Sequence, residues 1–296
     1  MSVSPTLAAQ QWPTIRGMTT GLLLSWLPAP IKHRLFDPTA TQRQIVPPCS
    51  RSLVDQYLAW SGADPERYAH TLPAHFFSKY GLELVSRLCG LAPVNMLQVV
   101  NQGCRFRVYS LIPRDVPIHL SGRLVDCSDQ GSRVRVHTQV QVGWEEQPQA
   151  MSVDIYAAVL RGRSPRAKKQ AQQAASAQNF RQVGHWSADR ADGQRFFYLT
   201  GDFNPIHTVW PLARRSKFGG CILHGFGTLA RSWECVQADG SQISDADLRF
   251  VKPNLLPQPR LNVELATQDS TTTMRVVDPQ GAVYLAGQIK REGASQ

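Results

Sequence analysis

Apolar residues recur at helical spacing between positions 223 and 236, where Leu223, Phe226, Leu229, Trp233 and Val236 fall near one face. That spacing predicts a helix with one buried stripe. Beyond it the pattern changes to alternation: Leu261-Asn262-Val263-Glu264-Leu265, then residues 274–277, then residues 283–289. The first half of the chain shows the same order. A helix-like stretch over residues 75–88 is followed by residues 118–125, then by Val134, Val136, Thr138, Val140 and Val142 at every second place, then by residues 153–160. A helical period followed by a period of two predicts one helix and an antiparallel sheet with one buried face, twice over. A local echo points the same way, because Arg105-Phe106 and Leu111-Ile112-Pro113 recur as Arg249-Phe250 and Leu255-Leu256-Pro257, both offset by 144 positions. The expected class is α+β, built from two copies of one helix-plus-sheet unit.

Between the halves, residues 161–182 read RGRSPRAKKQAQQAASAQNFRQ, with a basic start, a Gln/Ala/Ser run and almost no large apolar residue. Such a composition is that of a linker. The expected division is a first unit over residues 1–160, a linker over 161–182 and a second unit over 183–296. A length of 296 residues suits two units at ~100–200 residues each. With 42% hydrophobic and 18% charged residues, each unit can bury a core, which excludes disorder over the whole length.

Charge narrows the partners. An excess of 32 Lys+Arg over 22 Asp+Glu gives +10 and suits a partner that carries phosphates or carboxylates: nucleic acid, an acidic carrier protein or a phosphorylated coenzyme. No RNP-like strand, zinc-finger spacing or basic-region heptad accompanies the charge, so nucleic acid is not expected. Cys49, Cys89, Cys104, Cys127, Cys221 and Cys235 form no CxxC pair and no Cys/His cluster at metal spacing, so free thiols in a reducing, cytoplasmic setting are expected and no metal site is. The apolar stretch over residues 18–27 is well short of the ~20 residues a membrane span requires. It is expected to pack on the body or on a partner.

The candidate chemistry lies in Thr200-Gly201-Asp202-Phe203-Asn204-Pro205-Ile206-His207, followed by Ile222-Leu223-His224-Gly225. Asn204-Pro205 is a helix start, with Asn as N-cap and Pro at the first helical position, so His207 belongs to the first turn and Asp202 stands just ahead of it. A helix N-terminus favours an ionised Asp202 and a neutral His207. Such a pair can hold one water between a base and a proton donor, as acid–base catalysis needs. Gly225 heads an apolar helix, where free backbone amides can stabilise charge on a thioester oxygen. A plainer alternative stands beside this: Asp and Asn before Pro also make simple turns and caps. On spacing alone, His224 and His75 read as packed or hydrogen-bonded core residues, and the other histidines have no partner.

The two segments together resemble the signature of the MaoC-like, R-specific enoyl-CoA hydratases. The resemblance implies a double hot-dog fold, in which each unit is a long helix wrapped by an antiparallel sheet and the active site lies between the units. It implies that Asp202 and His207 activate water, that Asn204 with Pro205 orders the loop, and that the Gly225 amide binds the thioester carbonyl. The sequence departs from the commonest pattern after the histidine, where Thr208-Val209-Trp210 lacks the acidic residue frequent there. The corresponding stretch of the first half, Trp60-Ser61-Gly62-Ala63-Asp64-Pro65-Glu66-Arg67-Tyr68, has no Asp–His pair at the right spacing. The first unit is therefore expected to lack catalysis and to shape the acyl tunnel with Phe76, Phe77 and Tyr80.

The implied function is (R)-specific hydration of trans-2-enoyl thioesters, carried on coenzyme A or an acyl carrier protein, or the reverse dehydration. Neither cofactor nor metal is called for, and a homodimer is among the expected assemblies. The alternatives are a hot-dog acyl thioesterase, with water directed at the carbonyl carbon, and a non-catalytic acyl-binding subunit. Chain length, carrier and physiological direction are not written in these residues.

Overall fold

A computed structural model describes residues 3–35, 37, 39–161 and 179–293. Its frame is an antiparallel sheet, ten-stranded among the described residues. The strands are β1 (Gln42–Val46), β2 (Val99–Val108), β3 (Ile118–Asp129), β4 (Arg133–Gly143), β5 (Met151–Leu160), β6 (Arg181–Ala188), β7 (Gln242–Phe250), β8 (Gln258–Gln268), β9 (Thr271–Val277) and β10 (Val283–Glu292). Their spatial order is β1-β3-β4-β5-β2-β7-β10-β9-β8-β6. Each half therefore has the same internal order, and the halves meet back to back where β2 pairs with β7. The longer helices are α1 (Trp12–Trp26), α2 (Arg51–Ser61), α3 (Leu82–Leu91), α4 (Asp192–Thr200) and α5 (Gly225–Gln237).

The strands β3, β4, β5, β8, β9 and β10 are the ones predicted by alternation, and β4 shows why: from Arg133 to Val142 its residues run half-buried and buried in strict turn. The other four strands escape that signal. In β7 a bulge between Ile243 and Asp245 breaks the period, and in β2 a matching bulge lies between Asn101 and Gly103. β6 starts at Arg181, so the last two positions of the expected linker belong to the sheet; residues 162–178 of that linker lie outside the described residues.

The duplication holds, but the 144-residue echo does not give its register. The bulges at 101/103 and 243/245 correspond at an offset of 142. So do the Tyr109 and Ser110 amides on Ala150 O and the Val251 and Lys252 amides on Tyr284 O. Arg105 faces Asp247 across the seam, its true counterpart, and not a second arginine. A slip of two leaves face alternation intact, which is why the echo still paired two inward-facing phenylalanines.

Across the seam the two cores merge. Phe106 of β2 lies 5.9 Å from Phe77 of the first unit and 5.6 Å from Trp233 of α5. Two buried polar clusters then lock the units together. Asp192, at the start of α4, accepts Trp60 Nε1–H at 2.9 Å, Arg231 at 3.0 Å and Arg195 at 3.1 Å. The Arg231 guanidinium also lies 4.3 Å over the Trp60 ring. Glu234 on α5 accepts the Tyr68 hydroxyl at 3.0 Å and His75 Nε2–H at 2.6 Å, and the Tyr57 hydroxyl bonds His75 Nδ1 at 2.9 Å.

The N-terminal segment lies on the first unit. α1 packs across α3, and the turn Pro5–Gln11 ahead of it reaches the second unit, where Gln11 Nε2 donates to Tyr198 O at 2.7 Å. No helix among the described residues is long and apolar enough to cross a membrane.

The Glu234 cluster yields a stability prediction. Glu234→Ala leaves two buried donors without an acceptor, each costing ~1–3 kcal/mol. Denaturant unfolding should show a loss in the range of that sum; a change within ~0.5 kcal/mol, the range of an ordinary surface substitution, would contradict the interlock.

Candidate active site

α4 ends at Gly201, whose φ of 81° is the left-handed conformation of a helix C-terminus, with its amide on Phe197 O at 2.8 Å. A side chain at Gly201 would also meet Thr14 Cβ at 2.8 Å and Gln11 Cβ at 3.0 Å. The chain then turns through Asp202, whose amide donates to Thr200 Oγ1 at 3.3 Å. Asn204 caps the next turn as expected: its Oδ1 accepts the Ile206 amide at 3.2 Å, and Pro205 takes the first helical position. The turn is short, Pro205–Thr208, and its backbone rests on the first turn of α4. A Cβ at Gly193 would stand 2.0 Å from His207 O, so only glycine lets the loop lie there.

His207 Nδ1 lies 2.7 Å from Ile222 O. Because a carbonyl only accepts, Nδ1 carries the proton and Nε2 of the neutral ring presents a bare lone pair. The ring stacks on His224 at a centroid distance of 3.8 Å and a tilt of 30°. His224 in turn lies 4.8 Å from Phe196, and Phe196 lies 5.2 Å from Trp60 of the first unit. His224 Nε2–H donates to Asp202 O at 2.9 Å, while its buried Nδ1 has no partner among the described residues. His224 thus holds both members of the pair, one by its backbone and one by its ring. Its position directly ahead of Gly225 was the only hint of this in the sequence.

Burial pushes His207 down to about 3, with His224 pushing the same way and Asp202 opposing. Burial likewise pushes His224 down to about 3. Burial also raises the Asp202 carboxyl above the usual carboxylate range, against the opposing pull of His207. The expectation of a helix terminus favouring ionised Asp202 is therefore overturned in sign. A single turn has little dipole, ~0.3–1 kcal/mol in effect, whereas burial of a carboxyl can shift it by several pKa units.

Gly225 opens α5 with His224 as N-cap, and the first-turn amides there have no intrahelical partner. A Cβ on Gly225 would lie 2.9 Å from the Phe250 ring. Phe76, Phe77 and Tyr80 are all buried in the first unit. Phe77 alone approaches the site, 6.5 Å from Phe226 beside Gly225. Phe76 packs on Tyr57, and Tyr80 lines a small cavity with Leu72, Val108 and Met151. A larger cavity of about 650 Å³ lies toward the other ends of α4 and α5, lined by Trp60, Trp186, Arg231, Glu234 and Cys235; neither Asp202 nor His207 lines it.

A family model described as "MaoC like domain" matches residues 164–284. The second half of this chain carries a MaoC-like domain. No curated protein matches the chain in sequence. Among solved structures, HtdX of Mycobacterium tuberculosis is similar over 84% of this chain and 99% of its own, with a TM-score of 0.66 and 19% identity. A MaoC-like dehydratase is similar over 86% and 98%, with a TM-score of 0.67 and 14% identity. Another, from Phytophthora capsici, is similar over 87% and 96%, with a TM-score of 0.64 and 13% identity. At these identities the likeness is one of fold, and it spans both halves: the chain is a double hot-dog protein.

Within the MaoC-like domain, the path from Gly201 to the two-residue ladder at Ile222–Leu223 is more than twice as long as its counterpart in the first unit, from Gly62 to Thr71–Leu72. Gly62 has the same left-handed φ, 79°, as Gly201. Ala63 then follows where Asp202 follows in the second unit, and the shorter path leads straight to Tyr68 and His75, which are taken up by Glu234.

The electrostatics of the MaoC-like domain give a titration prediction. His207 and His224 stay neutral in the folded protein to well below the unfolded value of ~6.5. Between that value and about 3 the unfolded chain binds protons that the native one refuses, so these groups make stability fall as pH falls. The raised Asp202 acts in the opposite sense just above the ordinary carboxylate value of 3.8. Nitrogen NMR should show both imidazoles neutral and untitrated from pH 7.5 to 5, with His207 protonated at Nδ1. A titration of either ring near pH 6.5 would contradict the site as described.

Proposed function

We propose that the chain adds water to trans-2-enoyl thioesters to give (R)-3-hydroxyacyl thioesters, or runs the reverse dehydration. One observation carries the reading: Ile222 O fixes the His207 tautomer, so a bare Nε2 is presented beside a half-buried carboxyl whose proton affinity burial has raised. A carboxylate with a raised pKa is the stronger base, and a neutral imidazole with a free lone pair can accept a hydrogen bond from the same water. At a pKa of about 3, His207 is a poor proton acceptor, which leaves Asp202 as the base.

In this reading Asp202 takes one proton from water while His207 Nε2 holds the water in line with the β carbon. The water oxygen bonds to that carbon, and the π electrons move toward the thioester carbonyl. The Gly225 amide meets the charge developing on the carbonyl oxygen. The pair then returns the proton at the α carbon, so that H and OH have been added across the double bond. Asn204 and Pro205 keep the loop in shape, and Phe77, through Phe226, is the first-unit aromatic best placed to border the acyl chain. The R hand comes from the family likeness. The net charge of +10 suits a coenzyme A or carrier-protein arm with its phosphates.

The test is a mutant set on crotonyl-CoA and a longer enoyl-CoA, followed by loss of the enoyl absorbance. Asp202→Asn and His207→Ala should each lower turnover ~10²–10⁴-fold with melting unchanged. The double variant should be scarcely worse than the poorer single one, because groups acting on one water are non-additive. Near-normal hydration by folded Asp202→Asn protein would remove the proposed base.

A further inference from the structure

A helix that covers a globular body normally turns its apolar stripe inward. α1 does the reverse. Thr14, Gly17, Gly21 and Leu24 are buried, whereas Trp12, Leu23 and Trp26 are 66%, 55% and 60% exposed. At 3.6 residues per turn these three side chains fall in one narrow strip with Arg16 and Thr19 between them.

The inward face explains the orientation. A Cβ at Gly17 would lie 2.3 Å from Glu83 Cγ, one at Gly21 would lie 2.2 Å from Ser86 O, and one at Gly90 would lie 2.4 Å from Gly21 O. α1 and α3 therefore meet nearly backbone to backbone, and no other roll of α1 permits that approach. Arg16 pairs with Glu83 at 3.5 Å, and Lys32, on the short helix Ala29–Leu35, donates to Gly90 O at 3.0 Å and Ala92 O at 2.9 Å. These bonds pin the segment at both ends and hold its tryptophan face outward. Met96, whose amide donates to Ser25 Oγ, brings the exposed Leu97 beside the end of α1, and Ile31 is exposed nearby.

Within the segment the charge has one sign, and its acidic neighbours are Glu83, bridged to Arg16, and Asp37 directly after it. Residues 1–36 contain Arg16, Lys32 and Arg34 and no Asp or Glu. Arg16 and Arg34 are exposed. A second copy docked symmetrically on the same face would bring no acid of the segment to these arginines, of which Arg16 is already bridged to Glu83 of its own chain. Tryptophan at both ends of an apolar strip, some ~21 Å apart at 1.5 Å per residue, together with cations and no acid, is instead the chemistry of a helix lying in a lipid headgroup layer.

We propose that the α1 face docks on an anionic membrane surface, with Trp12, Leu23 and Trp26 in the headgroup layer and Arg16 and Arg34 against lipid phosphates. The contact is peripheral and stands independently of the reaction assigned to Asp202 and His207.

The experiment is co-sedimentation of the full chain with vesicles of phosphatidylcholine alone or mixed with phosphatidylglycerol, at low and high salt, with light scattering of the free protein alongside. Binding should need phosphatidylglycerol and weaken as salt rises. The variant Trp12→Ser/Leu23→Ser/Trp26→Ser should lose at least ~tenfold in partitioning, since it removes three exposed apolar side chains from a contact driven by apolar burial. Arg16→Ser and Arg34→Ser keep the apolar strip and should each lose about fivefold on the anionic vesicles. Three results would overturn the proposal: no binding to either vesicle, binding undiminished in both variant sets, or a wild-type dimer that the tryptophan variant converts to monomer.

Discussion

The pairing of β2 with β7 is the contact on which the rest of the molecule depends. It joins two five-stranded sheets into one, and both strands would otherwise be open edges inviting association. Arg105 and Asp245 form a bidentate bond across it, at 2.7 and 3.0 Å. Only with the seam closed does Phe106 stand between Phe77 and Trp233, and only then can Trp60 of the first unit reach Asp192 and Phe196 of the second. The column Trp60–Phe196–His224–His207 carries that placement to the site. The first unit, whose stretch from Trp60 to Tyr68 has no Asp–His pair at the spacing of Asp202 and His207, thereby helps to fix the rings of the second.

Two forces compete at Asp202 and His207, and their magnitudes decide the chemistry. A one-turn helix offers a weak local field, whereas enclosure by protein disfavours both a carboxylate and an imidazolium. Enclosure wins at both residues, in opposite directions on the pKa scale. The outcome is a carboxyl whose conjugate base is strengthened, beside an imidazole that remains an acceptor. Spacing alone leaves the His207 tautomer open; the hydrogen bond from His207 Nδ1 to Ile222 O fixes it.

The sequence made some features legible because they are local. Strict alternation marked β4, and Asn204-Pro205 marked a helix start at the correct residue. What stayed hidden depends on distant parts of the chain or on broken periods. The seam strands carry bulges and an outward face of Arg and Asp, so their buried residues do not alternate cleanly. The 144-residue echo missed the true register by two because a two-residue slip changes no side chain's face. His224 is the packed, hydrogen-bonded core residue its spacing suggests, but its partner, the backbone oxygen of Asp202, lies twenty-two positions away and leaves no local signal. The N-terminal apolar stretch was expected to pack on the body or on a partner; its glycines meet α3, and its tryptophans and Leu23 face outward.

The direct measurement for the account is dehydration by the wild-type protein supplied separately with (R)- and (S)-3-hydroxyacyl-CoA, with enoyl absorbance and free thiol followed together. Absorbance should rise with the R substrate only, and free thiol should not appear. Thiol release without enoyl formation would make the chain a thioesterase, and binding of both substrates with neither change would leave the pair without the chemistry assigned to it.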